Sequence, residues 1–327
     1  MLNKNTFGTK MNKYKRFTLK LLTLFIIVFA LDFACGKLLQ YFYFKQSSGW
    51  NYRTTYAMEN TTDSLLIFGS SRAVQQYHPE ILQDRLNLSY YNCGRDGNFM
   101  LYNYAVLKSV LKRHKPKMII FDFIKGQFKE NPSEYERLAI LLPYYKTHPE
   151  IREVVNRRSE FEKFKLLSNT YPYNSTMFNT LIGNMEFNKK RHNDIKGYVI
   201  FDNVWDRPLK TVTQPEKYDF DTVFLNTYES FIKDCVDANV KLYIVCSPYY
   251  ELSPFTDTSI ALGKSIAQKY KVDFIDLSKD TFLIKQPALF SDSMHLNDDG
   301  AKIFSNIVAD EIGKINSSGS NALQANN

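Results

Sequence analysis

At 327 residues, 44% hydrophobic and 15% aromatic, the chain has the material for one large or two small domains around a buried core, which excludes wholesale disorder. A net charge of +8 points first to a polyanion partner, but six of the 42 basic residues (Lys4, Lys10, Lys13, Lys15, Arg16 and Lys20) fall in the first 20 positions, where there is no acid. The remaining 36 face 34 acids, so the globular part is close to neutral and no nucleic-acid partner is expected.

The basic cluster runs directly into an eleven-residue apolar run, Leu21 to Leu31. As a helix from Phe17 to Cys35 the segment would rise about 28 Å, close to the ~30 Å of a hydrocarbon core. We therefore expect a cytoplasmic basic tail at 1–16 and a transmembrane anchor at 17–38. Two features compete with that reading: a run of eleven is the length of a signal-peptide core, and Asp32 would cost up to ~3 kcal/mol at mid-membrane. Asp32 lies near the outer end, however, where the cost is smaller. No A-x-A cleavage site follows, and Asp32 stands where a lipoprotein signal before Cys35 would carry leucine, so the anchor is read as uncleaved. By the positive-inside rule the N-terminus is cytoplasmic and everything after residue 45 lies outside, a single-pass protein of the plasma (inner) membrane.

Residues 45–62 read as a polar connector, and an α/β pattern starts behind it. Ser64–Phe68 is a short apolar run stopped by Gly69, followed by a helix around Pro79–Leu86. A second strand, Leu88–Tyr91, stops at Asn92-Cys93-Gly94, and a helix from Phe99 to Lys112 leads into a third strand at Lys117–Phe123. Helices around Phe220–Ala238 and Ile260–Tyr270 precede strands at Val240–Cys246 and Val272–Asp276, and a final helix covers Asp298–Ile312. Five short apolar strands alternating with helices predict an α/β fold: a doubly wound five-stranded parallel sheet, order 2-1-3-4-5, with helices on both faces. The α/β domain then comprises 63–127 and 220–315. It is interrupted by an insertion at 128–219, whose Glu/Arg/Lys/Leu patterning reads as a helical cap near the strand carboxyl ends. The tail, 316–327, has nothing to bury and is expected to be disordered. Cys35, Cys93, Cys235 and Cys246 show no metal-ligand spacing and read as buried, inert thiols; neither metal nor cofactor is expected.

A nucleophile in such a sheet belongs at the carboxyl end of a strand, where the switch-point crevice opens and a following helix N-terminus favours developing negative charge. Gly69-Ser70-Ser71-Arg72 is placed there, although Gly and Ser are also ordinary loop and helix-cap residues. Ser291-Asp292-Ser293-Met294-His295 supplies the complement. A serine needs a base to take its proton, and the base needs a partner to fix its tautomer and stabilise the imidazolium. Asp292 and His295, three residues apart in a turn before the last helix, can provide both from one loop. Of the chain's five histidines this is the one with a carboxylate at such spacing beside a helix start.

Gly-x-Ser after the first strand, Asn-x-Gly after the second and Asp-x-x-His-Leu-Asn before the last helix together resemble the SGNH/GDSL hydrolases, a flavodoxin-like family, over about residues 64–127 and 236–313. The resemblance implies Ser71 as nucleophile, Asp292 and His295 as its base pair, and the backbone N–H groups of Ser71 and Gly94 as oxyanion donors. Two departures stand out. Ser70 occupies the usual Asp of G-D-S, which is not a member of the triad. More seriously, the third block should read Gly-x-Asn-Asp, and the chain offers Phe121-Asp-Phe-Ile-Lys-Gly-Gln127, leaving Gln127 as the candidate side-chain donor. Loss of one oxyanion donor costs ~3 kcal/mol in the barrier. An α/β-hydrolase reading of Gly69–Ala73 is rejected, because the serine follows the first strand and the acid lies three residues from the histidine.

Arg72 and Arg95 flank the site; either binds an anionic substrate group or pairs structurally with Asp96 or Glu80. His78 reads as a packing or capping residue rather than a second base. The stretch from Tyr171 to Ser175 is either a sugar site or buried packing. The expected activity is an extracytoplasmic carboxylic-ester hydrolase. Anchored proteins resembling this layout, including the D-alanyl-lipoteichoic acid transfer proteins, imply an alternative: acyl or acetyl transfer to an envelope polysaccharide or teichoic acid. That carries with it an acylated carbohydrate or lipid-linked substrate and a membrane-bound acyltransferase partner. The missing block-three Asn motivates a third alternative, a non-catalytic binding or scaffold domain.

Overall fold

Apolar residues alternate between two cores along each central strand, and that alternation sets the architecture. The computed structural model describes residues 4–185 and 194–324. Strands β1 (Leu65–Phe68), β2 (Tyr90–Asn92) and β3 (Met118–Asp122) precede a short strand β4 (Lys210–Thr211); β5 (Lys241–Cys246), β6 (Glu251–Leu252) and β7 (Asp273–Asp276) follow. The main sheet is five-stranded and wholly parallel in the order β2-β1-β3-β5-β7, which is 2-1-3-4-5 counted along the chain; β4 and β6 pair apart from it.

Helices α1 (Lys4–Phe44), α2 (Gly49–Thr55), α3 (Ser71–Gln76), α4 (Pro79–Leu86) and α5 (Met100–Arg113) come first; α6 (Pro132–Arg137), α7 (Arg152–Asn156), α8 (Glu162–Lys165) and α9 (Met177–Asn184) lie in the insertion. α10 (Thr222–Asp237), α11 (Thr258–Lys269), α12 (Thr281–Ile284) and α13 (Asp298–Gln324) complete the chain. Leu66, Phe68, Ile119, Phe121, Leu242 and Ile244 face a core built with α5, α10, α11 and the insertion. Their neighbours Leu65, Ile67, Ile120, Tyr243 and Val245 face a second core built with α3, α4 and α13. Each such aliphatic or phenyl side chain taken fully out of water contributes about 1.5–3 kcal/mol, so both faces of the sheet demand cover.

The structure departs from the sequence expectations at four places. α1 is continuous from Lys4 to Phe44, longer than the expected 17–38 span, and over Asn12–Phe44 it is long and apolar enough to cross a membrane. Residues 45–62 are not a polar connector: α2 runs into a π-helical turn at Tyr56–Asn60, and Ala57 and Met58 are fully buried. Their polar neighbours are buried because they find partners; Thr54 and Thr55 Oγ1, for example, bond the hydroxyls of Tyr102 and Tyr144 at 3.1 and 2.6 Å. In the insertion the helices stop at α9. The residues described from 194 to 219 hold only β4 as regular structure, and Pro208 and Pro215 there remove helix donors. Last, α13 does not end near Ile312. Ile315 packs on the second core and Tyr243 Oη donates to Asn316 Oδ1 at 2.7 Å, which carries the helix on to Gln324 and replaces the expected disorder of 316–324. Residues 1–3 of the basic tail, 186–193 of the insertion and 325–327 of the tail lie outside the described residues.

Candidate active site

Strand order reverses between β1 and β3, so the crevice of the sheet opens at their carboxyl ends. β1 ends at Phe68, and Gly69 follows with φ +147°; a Cβ there would lie 2.8 Å from Ala73 Cβ and 3.0 Å from Asp122 Cβ, so only glycine fits. Asn103 Oδ1 accepts the Gly69 N–H at 2.9 Å and fixes the turn from α5. Ser70 is buried with extended backbone, and Ser71 opens α3, half-buried, its N–H in the first turn where no intrahelical acceptor exists.

The histidine loop is held by a bridge between Phe290 and Leu296 and by the Ser291 N–H donated to His295 O at 2.8 Å. Asp292 works with both oxygens. Oδ1 accepts the N–H groups of Met294 (2.6 Å) and His295 (2.9 Å) and freezes the turn, while Oδ2 lies 2.8 Å from His295 Nδ1. Across 224 residues of sequence, His295 Nε2 lies 2.8 Å from Ser71 Oγ. Burial works to raise the Asp292 carboxyl pKa, but the hydrogen bonds from His295 and the two backbone N–H groups outweigh it and hold it below its ordinary value. An anion at Nδ1 requires the proton on that nitrogen, which leaves the Nε2 lone pair to accept the Ser71 hydroxyl. Phe201, from the insertion, meets the imidazole edge-to-face at 5.8 Å, and Asn203 Nδ2 and Trp205 N–H donate to Ser291 O and Phe290 O at 2.7 Å each.

Arg72 is not a substrate ligand. It is 1% exposed, and its guanidinium donates to Ser247 O (2.6 Å), Ser247 Oγ (2.5 Å), Pro248 O (3.1 Å) and Met294 O, with the Tyr249 ring 3.8 Å beneath it. Its carboxylate partner is Asp122 at 3.8 Å, neither Asp96 nor Glu80. Asp122 Oδ1 also accepts the Tyr77 and Ser247 hydroxyls at 2.7 and 2.8 Å, and burial pushes the Asp122 carboxyl up against the pull of Arg72 and those bonds. One buried cation thus ties the serine loop, the β5 end and the histidine loop together, helped by Gln76 Nε2 on the same Met294 carbonyl at 3.0 Å. Arg95 is likewise withdrawn from substrate: 6% exposed, it donates to Trp50 O and Thr54 Oγ1 at 2.5 and 2.7 Å, while Asp96 pairs with Arg53 at 3.7 Å.

The expected oxyanion donors Gly94 and Gln127 share no hydrogen bond with Ser71 among the described residues. Gly94 packs beside Gly69 and Ala73, but its N–H is donated to Asn92 Oδ1 at 2.9 Å. Gln127 shares no hydrogen bond with Ser71 or Gly94. Its turn is pinned instead to the start of α11, through Gly126 N–H on Asp257 Oδ1 (3.2 Å) and Phe128 N–H on Ser259 Oγ (3.1 Å), and its Nε2 is buried without an acceptor among the described residues. His78 packs against Tyr198, 4.0 Å from Asp298 Oδ1, at the start of α4. Tyr171 and Tyr173 form no sugar site: Tyr171 binds Glu162 and Arg158, and Tyr173 packs on Tyr43 of α1. Cys93, Cys235 and Cys246 are buried, whereas Cys35 is exposed on α1. Among the described residues no group of three or more His, Cys, Asp or Glu side chains is placed to hold a metal ion. Asn103, Asp122 and Ser247 escaped the sequence reading; the one available signal was their position just beyond or opposite apolar strand ends.

No family model and no curated protein sequence matches the chain. Among solved structures, that of an acetyl xylan esterase, AlAXEase, is similar over 77% of this chain and 98% of that one, at 16% identity and a TM-score of 0.38. A likeness that slight carries no functional argument.

Proposed function

We propose that the chain is a membrane-anchored serine hydrolase of the SGNH type, acting on carboxylic esters outside the cytoplasm. The observation that carries this reading is the unbroken chain from Ser71 Oγ through His295 to Asp292, with both links at 2.8 Å. His295 takes the proton of Ser71 as its oxygen attacks the ester carbonyl, and Asp292 stabilises the imidazolium. His295 then returns the proton to the leaving alcohol, and an incoming hydroxyl, activated by the same imidazole, releases the acyl group. This reading takes the Ser71 N–H, in the first turn of α3, as the oxyanion donor, while the Gly94 N–H is held by Asn92 Oδ1. With that donor engaged, the barrier stands up to ~3 kcal/mol above that of a fully equipped site.

A transferase reading has one observation in its favour. The His295 side chain is 15% exposed, with Phe201 edge-to-face beside it, and in this reading that partial burial disfavours water at the step where the acyl group leaves. In that reading the acceptor is an envelope carbohydrate hydroxyl, the donor an acylated carbohydrate or lipid-linked acyl group, and a membrane-bound acyltransferase is the natural partner for an anchored domain at the plasma membrane. The test is turnover of an aryl acetate by the full chain in detergent, with and without oligosaccharide acceptors. Acetate released to water supports the hydrolase, and acetylated oligosaccharide supports the transferase. Neither product, under conditions where the fold is intact, refutes both and leaves a binding domain.

A further inference from the structure

Asp32 stands in the apolar part of α1, where a bare carboxylate is costly, and the structure shows what satisfies it. Ser168 Oγ (2.6 Å), Asn169 N–H (2.6 Å) and Nδ2 (3.1 Å), and Thr170 N–H (3.2 Å) and Oγ1 (2.7 Å) all donate to its two oxygens. One turn on, Gly36 lets that loop touch the helix backbone: a Cβ there would lie 2.4 Å from Asn169 Cβ. The insertion is therefore clasped to α1 at the level of Asp32. Lys20 is the last basic residue before the apolar run, and Asp32 lies about 18 Å further along the helix axis. With Lys20 at the inner boundary of a core ~30 Å thick, Asp32 and the loop that holds it fall inside the outer half of the bilayer.

Bare apolar side chains stand among charged ones beside that loop, whose Asn169 Oδ1 accepts from the exposed Lys146 at 2.9 Å. Phe161, Phe164 and Leu167 are 64%, 69% and 73% exposed, and α9 turns Met177, Phe178 and Leu181 outward beside Leu39 and Phe42 of α1, around an open trough of about 620 Å³. Lys37, Lys45, Lys163 and Lys165 are exposed around them, the pattern of an interfacial element whose cations reach phosphates while its apolar side enters the acyl region. We propose that the insertion is a membrane-embedded collar, its Phe161/Phe164/Leu167 and Met177/Phe178/Leu181 surfaces seated in outer-leaflet lipid around α1. The proposal rests on α1 spanning the membrane. The collar holds the Ser71 site at a fixed height and restricts it to substrates at the membrane surface.

The test uses full-length protein in vesicles of phosphatidylethanolamine and phosphatidylglycerol, in a Cys35→Ala background that removes the exposed thiol. Nitroxides are placed at Phe164→Cys and Phe178→Cys, with Phe25→Cys in α1 as the lipid control and Lys279→Cys as the water control. Relaxation by oxygen is compared with relaxation by a water-soluble nickel chelate. The collar predicts that positions 164 and 178 behave as position 25, oxygen-dominated and several-fold protected from nickel relative to 279. Nickel access at 164 and 178 equal to that at 279, with 25 still in lipid, overturns the collar and leaves the anchor standing. Protection of 164 and 178 from both reagents means that protein, a second copy or another chain, covers the surface, and it also overturns the proposal. Nickel access at 25 as well removes the membrane span and the collar with it.

Discussion

Ser71→Ala and His295→Ala are each expected to lower kcat/KM for an ester by about 10⁶-fold, and the double variant by hardly more, because nucleophile and base act as one unit. The basis is the 2.8 Å contact between Ser71 Oγ and His295 Nε2, which gives the hydroxyl a route for its proton that no other side chain among the described residues duplicates by a hydrogen bond. Asp292→Asn is expected to fall less far, about 10⁴-fold, since the amide preserves an acceptor for the turn but favours the wrong imidazole tautomer. Steady-state kinetics on the three variants and the double variant check this. Additive losses in the double variant, or turnover that survives Ser71→Ala, contradict the shared-unit account.

Asp122→Ala is expected to cost about 3–5 kcal/mol of folding stability, read by urea unfolding, because it strands the Arg72 charge in a site that is 1% exposed. Arg72→Met alone should be similarly damaging. It removes the donor to Ser247, Pro248 and Met294 and leaves Asp122 with only the Tyr77 and Ser247 hydroxyls. The paired variant Arg72→Met/Asp122→Leu should recover only the part due to the stranded charge, since the Ser247, Pro248 and Met294 carbonyls and the Tyr77 and Ser247 hydroxyls lose their partners as well. Should Asp122→Ala unfold within about 1 kcal/mol of the parent, the pair is not the rivet described.

The sheet was legible because its strands are short apolar runs bounded by Gly, Asn and Ser-Pro. β1, β3 and β5 lie within a residue or two of the segments read from sequence, and the order of strands follows from their alternation with helices. The contact among Ser71, His295 and Asp292 was legible only through the order of three motif blocks along the chain, because Gly and Ser taken singly are ordinary loop and helix-cap residues. What stayed hidden depends on pairs distant in sequence. Arg72 looks like a surface cation until Asp122 and the Ser247 loop close around it, and Asp32 looks like a flaw in an anchor until residues 168–170 donate to it. Polarity also misled. Residues 45–62 are rich in Asn, Thr and Tyr, yet they fold into α2 and a buried turn because their hydroxyls and the Arg53 guanidinium meet partners from Tyr102, Tyr144 and Gly197. Gly94 shows the reverse case: the motif singles out the residue as a free donor, and Asn92, two positions earlier, already holds its N–H.

Whether Ser71 is a nucleophile activated by His295 is read from exposure of the full-length protein to a fluorophosphonate, followed by intact mass and peptide mapping. One adduct is expected, on the Ser71 peptide, formed far more slowly in His295→Ala and absent in Ser71→Ala. An unlabelled wild-type protein, or an adduct that persists in Ser71→Ala, would contradict that role for Ser71.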